Sequence, residues 1–315
     1  MSLLAADIGG TWSRLALEDG GRERRARYRN ADFPDLGQVI ARFLADSDEP
    51  GARIERMVLA LPGPVDETPV RLTNIDWTVD PEALRACCPH AEIRLVNDFQ
   101  AAAVGARASR AGRWLNPHAA PPATQGTAVV SGAGSGLGLA WFGDVAQAAL
   151  PHATEGGHAD FAPADARQRE LHAWLQARHG HVSWERVLSG PGLGEVHAFL
   201  AGQDAALHPA EVQERARAGD PQAAAAIALF LRVYGNWAGC LALLFRPPAG
   251  IHLCGGVTVH LAPWFGEDFL AAYLARGRMR AVAERTPLRL VEDPDIGLAG
   301  ALAIARGARG SEAQR

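Results

Sequence analysis

The 315-residue sequence predicts an α/β layer fold built from two related halves with a cleft between them. Two observations lead there. Apolar strand patterns alternate with helical ones through the first hundred residues, the signature of layered α/β architecture. A pattern of apolar strand, Gly-rich turn with a hydroxyl residue and second apolar strand then occurs twice, as "LLAADIGGTWSRLALE" (residues 3–18) and "AVVSGAGSGLGLAWF" (residues 128–142). One such hairpin opening each half is what a duplicated domain leaves behind.

Taken in order, "LLAA" and "LALE" flank the turn "DIGGTWSR", and "GRERRARYR" (residues 21–29) alternates as a solvated strand face does, rather than as a phosphate-binding patch. "VIARFLAD" has helical spacing after "FPDLGQ". "MVLALPGPV" is a strand stopped by Pro62, Gly63 and Pro64, and "IRLV" is a second one ending at Asn97-Asp98 before the Ala-rich helix "FQAAAVGARA". The proline-rich stretch from Ala111 to Gln125 reads as a boundary. After the second hairpin, helical patterns dominate past residue 160, until the strands "GIHLCGG" and "LRLVE" and the closing helix "IGLAGALAIARG". The expected partition is a small domain over 1–110, completed by a C-terminal helix in 292–315, and a large domain over 111–291.

Composition narrows the function. Apolar content of 48%, charged content of 21% and a net charge of −4 describe an ordinary soluble chain without the basic field of a nucleic-acid binder. All 31 basic residues are arginine, which removes the Walker A loop, the protein-kinase strand Lys and Schiff-base or pyridoxal chemistry, since each needs a lysine. Cys87, Cys88, Cys240 and Cys254 fit neither a zinc spacing nor a disulfide framework, so reduced thiols in the cytoplasm are expected. "MSLLAADIGG" lacks the charged n-region of a signal peptide. "QAAAAIALFLRVYGNWAGCLALLF" (residues 222–245), interrupted by Arg232, Gly235 and Asn236, reads as a long buried helix rather than a membrane span.

Four stretches carry chemistry. In "DIGGT", Gly9 and Gly10 allow close backbone approach to an anion, Thr11 adds a hydroxyl and Asp7 could hold a hydrated Mg²⁺; a plain hairpin turn is the alternative. "GAGSG", with Gly134, Ser135 and Gly136, repeats the device without a dinucleotide fingerprint, so both turns suit nucleotide phosphates. In "LVNDF", Asp98 stands where α/β folds place ligand groups, and where a helix N-cap stands too. In "HATEGGHADF", His152, Glu155 and His158 resemble metal ligands, but Gly156 and Gly157 would each cost a helix about 1 kcal/mol. A glycine-bent loop remains, and its Glu155 and His158 could accept from and donate to neighbouring hydroxyls of a polyol, unless it is a polar loop without a role.

In order and spacing, "DIGGT", "LTNIDW", "LVNDF", "GAGSGLGLA", "EGGHADFAP", "VSWERVLSGPGL" and "LCGGV" resemble the bacterial glucokinase family, from about residue 4 to about residue 302. The resemblance implies a duplicated actin-like ATPase (ribonuclease H-like) fold and ATP-dependent phosphorylation of glucose at O6 between two domains. It implies Asp98 as catalytic base and Asn97, Glu155, His158 and Glu185 as sugar ligands. Gly9, Gly10, Thr11, Gly134, Ser135 and Gly136 match the phosphate turns, and Gly255 and Gly256 the adenosine turn. Mg²⁺ would travel with ATP, near Asp7, with no protein-held metal; a homodimer is implied, and neither nucleic acid nor membrane is a partner. His152 matches no ligand. Trp12 stands where the family has a small polar residue, and Ser135 replaces the usual threonine. The alternatives are a sugar-sensing regulator, an actin-like or heat-shock-like ATPase, or a kinase for another hexose or phosphate donor. A regulator would need an N-terminal DNA-binding segment before the first strand at residue 3 and a Cys-rich zinc motif.

Overall fold

The computed structural model describes residues 2–46, 53–72, 75–147 and 150–307. Thr73 and Asn74 of "LTNIDW" and residues 308–315 of the expected C-terminal segment lie outside that set. The architecture is mixed α/β, and the chain divides into two compact units. The first takes the described residues up to Ser109, those of 150–153 and those from Asp295 onward; the second takes the rest.

The first unit opens with β1 (Ser2–Ile8), β2 (Trp12–Asp19), β3 (Arg22–Arg29) and α1 (Leu36–Ala45). It continues through β4 (Ile54–Leu61), the short β5 (Val70–Arg71) and β6 (Thr78–Val79), α2 (Pro81–Leu84), β7 (Glu92–Asn97) and α3 (Asp98–Ala108). The second unit holds β8 (Gly112–Trp114), β9 (Ala128–Ala133) and β10 (Leu137–Phe142), flanked by β11 (His152–Thr154). Its helices α4 (Ala166–His179), α5 (Trp184–Val187), α6 (Gly190–Ala201), α7 (Pro209–Arg217) and α8 (Pro221–Phe245) precede β12 (Ile251–Cys254). Then come α9 (Gly256–His260), α10 (Glu267–Leu274), α11 (Arg280–Arg285) and β13 (Leu288–Val291), and the first unit closes with α12 (Ile296–Ala305).

In the first unit the strand order is β3-β2-β1-β4-β7, with β1, β4 and β7 parallel and β2 and β3 running against them. Strand alternation sends Leu4, Ala6, Ile8, Leu15 and Leu17 toward α1, and Leu3, Ala5 and Ala16 toward the other face with α12 and Ala101 of α3. The "GRERRARYR" run behaves as its alternation predicts. Arg25, Arg27 and Arg29 face solvent, while Tyr28 turns inward, edge-on to Phe33 and Phe43.

The second sheet has the order β11-β10-β9-β12-β13-β8, with β9, β12 and β13 parallel. The stretch read as a boundary supplies β8, which closes the sheet by antiparallel pairing with β13. Helix α8 is long and apolar enough to cross a membrane, yet 72% of its most apolar window is buried inside the protein. Ile227, Phe230, Tyr234, Trp237 and Leu241 enter the core there, and Trp237 Nε1 donates to Ser131 Oγ of β9 at 2.9 Å. The four cysteines are free thiols.

Candidate active site

Asp7, Asn97 and Asp98 lie at the carboxyl ends of parallel strands, because Asp7 pairs with Ala60 of β4 and Leu61 of β4 pairs with Asn97. That edge is where open α/β sheets bind ligands. Asp7 accepts from Arg14 Nη1 at 3.2 Å, across the β1–β2 ladder. It lies against Gly297 at the start of α12, where a Cβ would come within 2.6 Å of the carboxylate. Burial raises the Asp7 pKa above the usual carboxylate range, and the Arg14 charge and hydrogen bond oppose that rise.

The cap of α3 corrects one sequence expectation. Both residue types at 97 and 98 suit an N-cap, and the structure gives the position to Asn97 and places Asp98 in the first helical turn. Asn97 Oδ1 accepts from Phe99 N at 2.9 Å, Gln100 Oε1 accepts from Asn97 N at 3.1 Å, and Asn97 Nδ2 donates to Gly63 O at 3.0 Å. The reciprocal capping box fixes the start of α3 at Asn97, one residue before Asp98.

The first glycine turn joins β1 to β2. Gly9 N donates to Trp12 O at 2.9 Å, and Asn30 N donates to Thr11 O at 3.0 Å. Asn30 Nδ2 donates to Gly9 O at 2.7 Å, and Ser13 Oγ donates to Asn30 Oδ1 at 2.8 Å. Thr11 is exposed. The Trp12 indole lies under the Arg27 guanidinium, 3.9 Å from its carbon to the ring centre.

The second turn is held by other means. Gly134 N donates to Gly136 O at 2.8 Å, and Gly134 O accepts from Gly190 N, also at 2.8 Å. Leu137 N donates to Glu185 Oε2 at 2.8 Å, and a side chain at Gly136 would collide with that carboxylate. Gly255 and Gly256 come to the same place. A Cβ on Gly134 would lie 4.0 Å from Gly256 N, and Gly255 has a φ of +96° that brings it against Ala133 O. Ala133 N donates to Thr258 Oγ1 of α9 at 3.3 Å, which ties the two turns together.

Glu155, His158 and Glu185 are brought together. After β11 the chain makes one 3-10 turn, Gly156–His158, in place of a longer helix. His158 Nε2 is 3.8 Å from Glu155 Oε2, and its Nδ1 is 3.8 Å from Glu185 Oε1, so the imidazole lies between two carboxylates. Two backbone bonds staple this loop to the entry of α5: Trp184 N to Ala159 O at 3.0 Å and Phe161 N to Val182 O at 2.9 Å. The buried rings of Phe161 and Trp184 stack edge-on beneath it, 5.1 Å apart. Gly156 and Gly157 serve the fold rather than a ligand's approach. A Cβ on Gly157 would strike Leu137 O, and one on Gly156 would lie 2.6 Å from Leu139 Cδ2.

Ser135, His158 and Glu185 all line one cavity of about 310 Å³, with Ser183, Ser189 and Glu195. Among the described residues no group of three His, Cys, Asp or Glu side chains converges to hold a metal, and His152 lies on β11. Asn30 lies in no sequence motif, and its bonds to Gly9 and Ser13 are what bring it to the first turn.

The glucokinase family profile matches residues 4–308. A glucokinase of Chromohalobacter salexigens is 36% identical over 310 residues, covering 95% of this chain and 95% of its own. The crystal structure of a glucokinase from an Antarctic psychrotroph superposes with a TM-score of 0.81 at 26% identity, over 97% of this chain and 98% of the other. A ROK family glucokinase from Streptomyces griseus, solved with glucose and AMPPNP, gives a TM-score of 0.65 at 22% identity, over 97% and 99% of the two chains. By a profile that spans nearly its whole length and a relative more than one-third identical across it, the chain belongs to the glucokinase family.

Proposed function

We propose that the protein transfers the γ-phosphoryl group of ATP to the 6-hydroxyl of glucose, giving glucose 6-phosphate and ADP. The observation that carries this reading is the cavity in which Ser135 of a phosphate-type turn meets His158 and Glu185, two groups suited to sugar hydroxyls. Phosphate and polyol chemistry in one cavity of one unit is what a sugar kinase needs. Family membership and the neighbour solved with glucose and AMPPNP support the same pair of substrates.

In this reading Asp98 takes the proton from the 6-hydroxyl as it attacks, a role typically worth about 10²–10⁴ in rate. Glu155 and Glu185 accept hydrogen bonds from neighbouring hydroxyls and His158 donates one. Asn97 keeps a lone pair on Oδ1 and a second amide hydrogen for the sugar after its bonds to Phe99 and Gly63 are made. Gly10 and Thr11 in the first turn, and Ser135 and Gly136 in the second, present N–H and hydroxyl donors to the phosphates, while Gly9 and Gly134 use their N–H groups to close the turns around them. Gly255 and Gly256 pass beside the adenosine.

Asp7 is a single carboxylate already partnered by Arg14, which suits Mg²⁺ held mainly by substrate phosphates and water. Bound there, the ion neutralises charge on the phosphoryl group in flight. The duplicated actin-like (ribonuclease H-like) fold is part of the proposal. The recurrence of the order β3-β2-β1-β4-β7 as β11-β10-β9-β12-β13 supports it. So are a cytoplasmic homodimer and the absence of nucleic-acid or membrane partners. A coupled assay crossing a hexose panel with ATP, ADP and polyphosphate tests the reading: glucose with ATP should give the highest kcat/KM. A different best hexose or donor would replace the assignment.

A further inference from the structure

We infer that Asn30 is the positioning residue of the donor turn, holding the Gly9–Gly10 peptide so that the Gly10 N–H faces the nucleotide phosphate; this rests on the donor reading above. Asn30 follows the last residue of β3 and is only 2% exposed. Its side chain and backbone reach three residues of the turn at once. Nδ2 donates to Gly9 O at 2.7 Å, Oδ1 accepts from Ser13 Oγ at 2.8 Å, and the backbone N donates to Thr11 O at 3.0 Å.

The consequence follows from peptide planarity. In a trans peptide the C=O and the following N–H point to opposite sides. With Gly9 O held toward Asn30, the Gly10 N–H is turned away from it. Gly9 N–H is already used on Trp12 O, and no acceptor among the described residues takes the Gly10 N–H. The turn therefore presents the Gly10 N–H as a donor, and Asn30 sets its direction. Without the amide, Gly9 O and Ser13 Oγ would lose a buried partner and the peptide could rotate. A buried polar group left unmatched costs about 1–3 kcal/mol, so a reoriented peptide would compete.

A purely structural role would lower stability without choosing between ligands, and kinetics separates the two cases. Asn30→Ala removes the whole amide. Asn30→Asp keeps the acceptor for Ser13 but cannot donate to Gly9 O. Both are expected to raise KM for ATP about tenfold while leaving KM for glucose within about twofold, the scale of one buried hydrogen-bonded pair. Ser13→Ala, which spares the Gly9 bond, should change KM for ATP by no more than about threefold, roughly one ordinary hydrogen bond. Equal rises in both KM values, or a lowered Tm with both unchanged, would overturn the inference.

A measurement on the wild-type protein keeps the test valid should the variants not fold. With ¹⁵N-glycine labelling and titration of Mg-AMPPNP, the Gly10 amide should shift more than that of Gly9. Shifts at Gly134 and Gly136 with Gly10 unmoved would overturn this inference alone. No shift at any of these glycines would take the donor reading down with it.

Discussion

The β1–β2 turn and the β9–β10 turn look alike in sequence, each a glycine bend with a hydroxyl residue, but they are anchored by different chemistry. The first is pinned by Asn30, a buried neutral amide from the end of the neighbouring edge strand. The second is pinned by Glu185, whose other carboxylate oxygen stands 3.8 Å from His158, and by Gly190 at the start of α6. The first anchor is independent of the polyol-type residues of the second unit. The other is one of them. Perturbing the first turn should therefore affect the donor alone, while perturbing the anchor of the second should affect donor and sugar together.

Glu185→Ala probes this contrast with the largest expected effect. It removes the acceptor for Leu137 N and the carboxylate beside His158 in one step. A hydrogen bond to a charged group contributes about 1.5–3 kcal/mol, so calorimetry should show both glucose and Mg-AMPPNP binding weakened at least about tenfold. Loss of glucose binding alone would mean that the turn does not depend on Glu185, and the contrast would fail. Glu155→Gln should be milder and one-sided. Its side chain is 65% exposed and bonds no residue of either glycine turn, so glucose should weaken by about 1 kcal/mol with the nucleotide unchanged. Equal losses for both ligands would argue against the separation. Trp12→Ser should do least. It frees Arg27 from its stack beside the first turn, and KM for ATP should fall about threefold, the scale of one exposed cation–π contact, with KM for glucose unmoved.

The contrast also shows how far the sequence could be read. Periodicity and glycine punctuation were enough for both hairpins, β4, β7, α8 and α12, because those signals are local. "EGGHADF" could be recognised as a bent loop rather than a metal helix, since two adjacent glycines weaken helix in any context. What those glycines do was hidden. Their reason is Leu137 O and the Leu139 side chain, which belong to a strand that only the fold brings near. The cap expected at Asp98 falls one residue earlier, on Asn97, because the bonds of Asn97 to Gln100 and Gly63 depend on contacts that local propensity does not encode. Asn30 carried no signal. Its partners Ser13 and Gly9 are 17 and 21 positions away, and no local pattern encodes such a contact.

The assignment of Asp98 as the base is the centre of the account, and Asp98→Asn tests it most directly. The substitution keeps the size of the side chain at the first turn of α3 and leaves the Asn97 cap in place. Steady-state turnover of glucose with ATP, measured beside glucose affinity by calorimetry, should show kcat reduced about 10²–10⁴-fold with glucose binding nearly unchanged. Turnover within about threefold of wild type, too small a loss for removal of a general base, would contradict the account and move the proton acceptor to another group.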